Sequence, residues 1–241
     1  MSQKDVEELA VDLALDQWGF VTTAQLVARG ATTVQVRRLV QAGVLERRAQ
    51  GLHRLVRFPD DAHELEHEAY IGLDPKRTLS ERIRDSAPPV VARGATAAAL
   101  HSGIGDIPAD RIEFAVPAAR KTRLAGVQLH TQPLEPDDWT IVDGMHVTTV
   151  ERTITDLARE HAGDGGHLAS VVKDALWFGL TRYSAIAAAL DPVAESWGFT
   201  TGRAFLDDLV TMDGAISKTS VELVRAALAA GVLQLDDLIA S

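Results

Sequence analysis

Apolar positions near the N-terminus recur at helical spacing. Over residues 5–16 they fall at i, i+3, i+4 and i+7, which predicts an amphipathic helix that buries Val6, Leu9, Ala10 and Leu13. Two Thr-x-x-Gln patterns follow, at Thr22 and Thr32. In such a capping box the two side chains bond the free N–H groups at a helix start. They predict a short helix from about Thr23 to Arg29 and a third helix that ends at Gly43.

A hairpin is predicted directly after the third helix. Residues 44–48 and 52–58 are rich in residues compatible with strands, and a turn at Ala-Gln-Gly (49–51) separates them. Helix, short helix, helix and hairpin in under 60 residues is the order of a winged helix-turn-helix. The sequence therefore predicts that residues 1–58 form a DNA-binding domain of this kind.

The third predicted helix has two different faces. At 100° per residue one face is apolar, with Val36, Leu39 and Val40, and can pack on the first two helices. The opposite face carries two guanidinium groups and an amide, the groups that suit the edges of guanine and adenine. Its members are Val34, Arg37, Arg38 and Gln41. A surface helix of an ordinary bundle would show the same pattern, which is the alternative interpretation.

The pattern changes after a connecting region at residues 59–90, which contains several breakers. Strands are predicted at 111–116, 127–134, 141–142 and 145–147, the last two around a hairpin turn at Asp143-Gly144. Helices are predicted at 94–101, 148–160, 167–178, 182–190, 201–211 and 218–230, with a loop at 163–166. Residues 91–241 are thus predicted to form a mixed α+β domain with a helical C-terminal part. For the whole chain the predicted fold class is α/β, in its α+β form.

Charge is distributed unevenly along the chain. The net charge is -10, but the segment from Arg29 to Arg57 contains seven arginines and one glutamate, which gives it a charge of +6. The rest of the chain therefore carries -16. A basic patch on an acidic body is typical of a nucleic-acid interface, and a solvated arginine-rich surface is the alternative. A second basic cluster, residues 118–123, is either a surface loop or a source of secondary DNA contacts from Arg120, Lys121 and Arg123.

Several function classes find no support. The chain has no cysteine, no 18-residue apolar run and a charged N-terminus, which favours a cytoplasmic protein without disulfides or a membrane span. Residues 163–166 lack the lysine of a phosphate-binding loop, and no G-x-S-x-G pattern occurs. We therefore expect no cofactor, no catalytic residues and no enzyme activity.

One motif indicates a different chemistry. Residues 63–67 (HELEH) match H-E-x-x-H, in which His63 and His67 would bind zinc and Glu64 would act as a base. Against this hydrolase stand the charged Glu66 and the acidic, solvated character of the segment. A nuclease site from Asp106, Glu113 and Lys121 has loose spacing. We therefore expect no metal site, and a zinc-dependent hydrolase is the weaker alternative.

Several blocks of the chain resemble the AbiEi-type antitoxins of type IV toxin–antitoxin systems, which act in abortive infection. They are GFVTTAQLVARGATTVQVRRLVQAGVLERRAQGLHRL (19–55), GATAAALHSG (94–103), RIEFAVP (111–117), GVQLH (126–130) and DGMHVTTVERTITDLA (143–158). Two positions depart from the family pattern: His53 replaces the usual tyrosine, and residues 91–93 replace a serine-histidine pair.

The resemblance implies a DNA-binding antitoxin that represses its own operon and antagonises a nucleotidyltransferase-like toxin encoded beside it. In such a protein we expect the third helix to enter the major groove of double-stranded operator DNA with Thr33, Val34, Arg37, Arg38 and Gln41. We expect the hairpin to place Arg47, Arg48 and Arg54 near phosphates, or one of them in the adjacent minor groove. The alternative is a winged-helix transcriptional regulator without a toxin partner.

Overall fold

A computed structural model of the protein describes residues 1–160 and 165–212. Contacts between α-carbons divide the chain into two units: Met1–Ala92 with Asp110–Val147, and Arg93–Ala109 with the described residues from Thr148 onward. The sequence-based division into residues 1–58, 59–90 and 91–241 is about which segments can fold independently, and it stays a prediction. The predicted helix at 218–230 and residues 163–164 lie outside the described residues. Within the described ranges, every helix is too short or too polar to cross a bilayer.

Three helices open the first unit, as predicted: α1 (Gln3–Leu15), α2 (Thr23–Ala28) and α3 (Thr33–Gln41). Both capping boxes are confirmed. Thr22 and Thr32 accept the N–H of Gln25 and Gln35, whose side chains accept the N–H of each threonine in return. These paired bonds satisfy N–H groups that have no partner inside the helix, and they fix where α2 and α3 begin.

Four residues, 29–32, connect α2 to α3. Gly30 has a φ of 96°, a left-handed conformation that suits glycine. The N–H of Ala31 donates to the carbonyl of Leu26 at 3.1 Å, the bond that closes a helix in the Schellman motif. The chain thus leaves α2 and enters α3 within one tight turn, as in helix-turn-helix proteins.

A three-stranded antiparallel sheet completes this part of the unit. The predicted hairpin is present as β2 (Leu45–Ala49) and β3 (Leu52–Leu55), and the strand order is β1-β3-β2. Strand β1 (Phe20–Thr22) is absent from the sequence prediction because three residues are too few to show an alternating pattern. The helices and the sheet share one apolar core, which includes Val6, Ala10, Leu26, Val36, Leu39, Leu45 and Leu55.

The rest of the first unit contains α4 (Glu64–Leu73), α5 (Leu79–Arg82) and a five-stranded mixed sheet. Its strands are β4 (Val91–Ala92), β5 (Ile112–Val116), β6 (Val127–Thr131), β7 (Trp139–Val142) and β8 (Met145–Thr148), in the order β6-β5-β4-β8-β7. The predicted turn at Asp143-Gly144 is confirmed, with φ of 46° and 79°. Positive φ at both positions defines a type I′ hairpin turn. Strand β4, only two residues long, was not predicted.

The second unit is helical. It contains α6 (Gly94–Leu100), α7 (Val150–Glu160), α8 (Gly165–Trp177), α9 (Tyr183–Ala194) and α10 (Gly202–Met212), packed around one apolar core. Helix α7 begins at Val150, slightly later than the predicted range of 148–160, because the side chain of Thr149 accepts the N–H of Arg152 at 3.3 Å. The α+β class with a helical C-terminal part is confirmed.

Candidate nucleic-acid interface

Helix α3 presents the two faces that its sequence predicts. Val36 and Leu39 are buried, with 2% and 1% of their surface exposed. All five residues of the predicted contact face are exposed: Thr33, Val34, Arg37, Arg38 and Gln41. The helix is held from the other side, since Gln35 donates to the carbonyl of Met1 at 3.0 Å and accepts from Gln3 at its own carbonyl. The exposed face is thus carried on a fixed support.

The arginines of the basic stretch between Arg29 and Arg57 fall into two groups, those without an ion pair and those paired with carboxylates. In the part of the chain that the structure describes, Arg37, Arg38, Arg47 and Arg57 form no ion pair. Arg47, in β2, only donates to the carbonyl of Ala49 at 3.4 Å. These guanidinium groups keep their hydrogen-bonding capacity for an external partner.

Arg48, the neighbour of Arg47, is instead surrounded by carboxylates. Its nitrogens lie 3.1 Å from Glu46, 2.9 Å from Glu64 and 2.7 Å from Glu68. The hydrogen bond to Glu68 raises the pKa of the Arg48 guanidinium above its ordinary value. Arg48 was predicted as a phosphate contact, but in this structure its charge is already neutralised by the protein.

Arg54, in β3, is buried, with 6% of its surface exposed. Its Nη2 donates to the carbonyl of Pro59 at 2.9 Å and lies 3.0 Å from a carboxylate oxygen of Glu64. A guanidinium with these partners would have to leave them to reach a phosphate. The structure therefore places Arg54 inside the protein, away from the surface where it was predicted.

The two histidines of the HELEH segment have different surroundings. His63 precedes the first residue of α4, and its ring centroid lies 6.3 Å from that of His67. His67 is fully buried and stacked on Trp18 at 4.0 Å, with its Nδ1 bonded to Asp61 and its Nε2 3.3 Å from Asp143. Burial lowers the pKa of His67. The interpretation of this segment as wholly solvated is wrong, because its second histidine lies in the interior.

The sequence prediction missed what the acidic residues of α4 do. Glu64 and Glu68 are one turn apart, so both side chains leave the helix on the same side. They meet Arg48 and Arg54 from the hairpin there. The i, i+4 spacing was the available signal, but the sequence did not show which arginines the glutamates would face.

The second basic cluster lies beside the hairpin. Arg120, Lys121 and Arg123 are exposed, and their loop lines a groove together with Ala49 at the end of β2 and Gln50 of the β2–β3 turn. The loop of residues 118–123 is distant from the hairpin in sequence, but the fold places it next to the turn that follows Arg47.

Comparisons with known proteins agree with these observations. The first unit begins with a helix-turn-helix-like arrangement, and residues 8–56 match the family model of the AbiEi antitoxin transcriptional regulators. The predicted resemblance to the AbiEi antitoxins is therefore confirmed over that segment. A family of transcriptional regulators also fits a protein without enzymatic activity.

The fold is similar to that of a solved structure. The RV2827C protein from Mycobacterium tuberculosis is 17% identical, covers 83% of this chain over 79% of its own, and superposes with a TM-score of 0.50. At this identity the likeness concerns the fold alone. A search of curated proteins found no match.

Proposed function

We propose that this protein is a sequence-specific DNA-binding regulator whose N-terminal helices and hairpin act as a winged helix-turn-helix. The observation that carries the proposal is the exposed face of α3. Arg37, Arg38 and Gln41 project from the side opposite the buried Leu39, on a helix that follows α2 after four residues. A helix of this kind fits the major groove, where guanidinium and amide groups pair with base edges.

The hairpin and the neighbouring loop supply sequence-independent contacts in this proposal. Arg47 is exposed and unpaired within the described residues, and it would bind a phosphate or enter the minor groove. Arg120, Lys121 and Arg123 would extend the phosphate-binding surface, since their loop lies beside the β2–β3 turn. Arg54 is buried and is left out of the interface.

The biological role proposed is that of a type IV antitoxin. The protein would repress its own operon and antagonise a nucleotidyltransferase-like toxin encoded beside it, without a cofactor or a metal. The family match over residues 8–56 supports the antitoxin class. A winged-helix regulator without a toxin is the second candidate, and a neighbouring nucleotidyltransferase gene would distinguish the two.

The test is a binding titration of the purified chain. One duplex carries the DNA immediately upstream of the gene, and a second has the same length and a shuffled sequence. Preference for the upstream duplex, lost in R37A/R38A, supports the proposal. Equal affinity for both duplexes, or none for either, contradicts it. Growth rescue upon co-expression with the neighbouring nucleotidyltransferase tests the antitoxin role separately.

A further inference from the structure

The two arginines that the hairpin directs toward α4 are over-compensated by acids. Arg48 and Arg54 carry two positive charges, and Glu46, Glu64 and Glu68 carry three negative ones. The carboxylates are themselves half-buried, with 22% of the Glu64 side chain and 17% of the Glu68 side chain exposed. Within this cluster the acids therefore outnumber the arginines by one, although the sequence around it is the most basic stretch of the chain.

This cluster changes what Arg48 can do near DNA. A phosphate that approached Arg48 would compete with three carboxylates already within 3.1 Å. Phosphate contacts contribute affinity without regard to sequence, so each one strengthens binding to random DNA as well as to the operator. Withholding Arg48 lowers the sequence-independent share of binding and leaves the contacts of α3 unchanged.

We infer that Glu46, Glu64 and Glu68 are specificity-determining residues that keep Arg48 off the phosphate backbone. The inference rests on the proposed DNA-binding function. It assigns different roles to two adjacent arginines: Arg47 contacts the DNA backbone, whereas the three acids keep Arg48 away from it. Releasing Arg48 should then tighten binding to random DNA.

The test variant is E46Q/E68Q, which keeps Glu64 because it neutralises the buried Arg54 and leaves Arg48 with one carboxylate instead of three. The matched control is E7Q/E66Q, which makes the same change in charge at two residues that make no ion pair with Arg48. Affinity for a random-sequence duplex is measured over a salt series, and circular dichroism melts check that each variant folds. R48A is made in the wild type and in E46Q/E68Q.

We expect E46Q/E68Q to steepen the slope of log K against log salt by up to about 0.9, the value of one full added phosphate contact, since Glu64 still competes for Arg48. Between about 200 and 50 mM salt this is roughly a threefold larger gain in affinity. R48A should abolish the added slope in E46Q/E68Q and leave the wild-type slope unchanged. The single variant E68Q, which removes the negative charge at the shortest of the three contacts, should shift the slope in the same direction.

Two outcomes would overturn the inference while the proposed function stands. An equal steepening in E7Q/E66Q would show a general effect of net charge. A flatter slope for R48A in the wild type would show that Arg48 already contacts DNA. If the wild type binds neither the random duplex nor the upstream one, the proposed function fails and the inference fails with it.

Discussion

The hydroxyl of Tyr70 lies 2.7 Å from Nδ1 of His146, a residue 76 positions further along the chain. The same hydroxyl accepts the backbone N–H of His146 at 3.2 Å. In a neutral ring with an unprotonated Nδ1, the hydroxyl can donate its own proton to that nitrogen. Helix α4 and strand β8 are joined by this pair of bonds, and the joint depends on a neutral histidine.

Stability should consequently fall in mild acid. Burial, with the nearby Arg82 charge, lowers the pKa of His146 to about 4 from its ordinary 6.5. The unfolded chain therefore takes up the proton first, and the stability that this group contributes is full above pH 6.5. It is lost as the pH falls from 6.5 toward 4, by up to ~3 kcal/mol.

Urea unfolding at several pH values tests this directly. In H146Q the decline between pH 6.5 and 4 should be shallower than in the wild type. Other acid-sensitive groups, such as the Asp5 carboxylate whose pKa is lowered by its hydrogen bonds from Ser2, are common to both proteins and cancel in the comparison. Parallel pH profiles would show that His146 does not titrate in this way.

Arg37→Ala and Arg38→Ala should weaken binding to the upstream DNA by about 1–3 kcal/mol each. At least one should also reduce the preference for that sequence over random DNA. Neither should change the melting temperature, because both side chains are exposed. Leu39→Ala on the buried face is the contrasting variant, and it should cost ~2–5 kcal/mol of folding stability. Unfolding of the arginine variants would mean that this face packs inside the protein.

Arg47→Ala should affect all DNA alike. It removes a single exposed guanidinium beside the β2–β3 turn, where backbone phosphates are more accessible than base edges. The expected result is a weaker affinity for the upstream and the random duplex by the same factor, and a salt slope about 0.9 smaller for both. A loss confined to the upstream duplex would instead assign Arg47 a role in reading sequence.

Arg54→Ala should destabilise the fold without directly changing the affinity for DNA. The buried side chain holds the carbonyl of Pro59 and the carboxylate of Glu64, and its removal leaves both without that donor. The free energy of unfolding should fall by ~3 kcal/mol, as for broken buried pairs. Arg57→Ala, at an exposed position two residues beyond β3, should change stability by less than about 0.5 kcal/mol. Chemical denaturation of the two variants measures the contrast.

The features that the sequence predicts well are the local ones. The two faces of α3 follow from spacing within nine residues, and the capping boxes at Thr22 and Thr32 act over three. The missed features depend on distant partners. Strand β1 exists because Phe20 pairs with Arg54, and Arg48 is neutralised by a glutamate 20 residues away. Charge counted along the chain therefore overstated the basic surface, since folding brings acids to some of the arginines.

The predicted boundary at residue 58 leads to the last test. Segment 1–58 has contacts beyond its end that a fragment would lose. Gln25 donates to the carbonyl of Arg77 at 2.8 Å, the N–H of Leu79 donates to Gln17 at 3.2 Å, and Phe20 packs on Ile71. Without these partners, two buried glutamines lose hydrogen bonds and Phe20 becomes exposed to water.

A fragment of residues 1–86 should therefore melt at a higher temperature than a fragment of 1–58, because it keeps α4 and α5 with their contacts. Both fragments should contain helix by circular dichroism, since α1, α2 and α3 keep their caps and their shared core. The longer fragment also retains Glu64 and Glu68 on Arg48. Residues 1–58 alone should consequently bind random DNA with a steeper salt dependence than 1–86. Identical melting curves for the two fragments would place the boundary at 58 after all, and identical salt slopes would separate Arg48 from DNA binding.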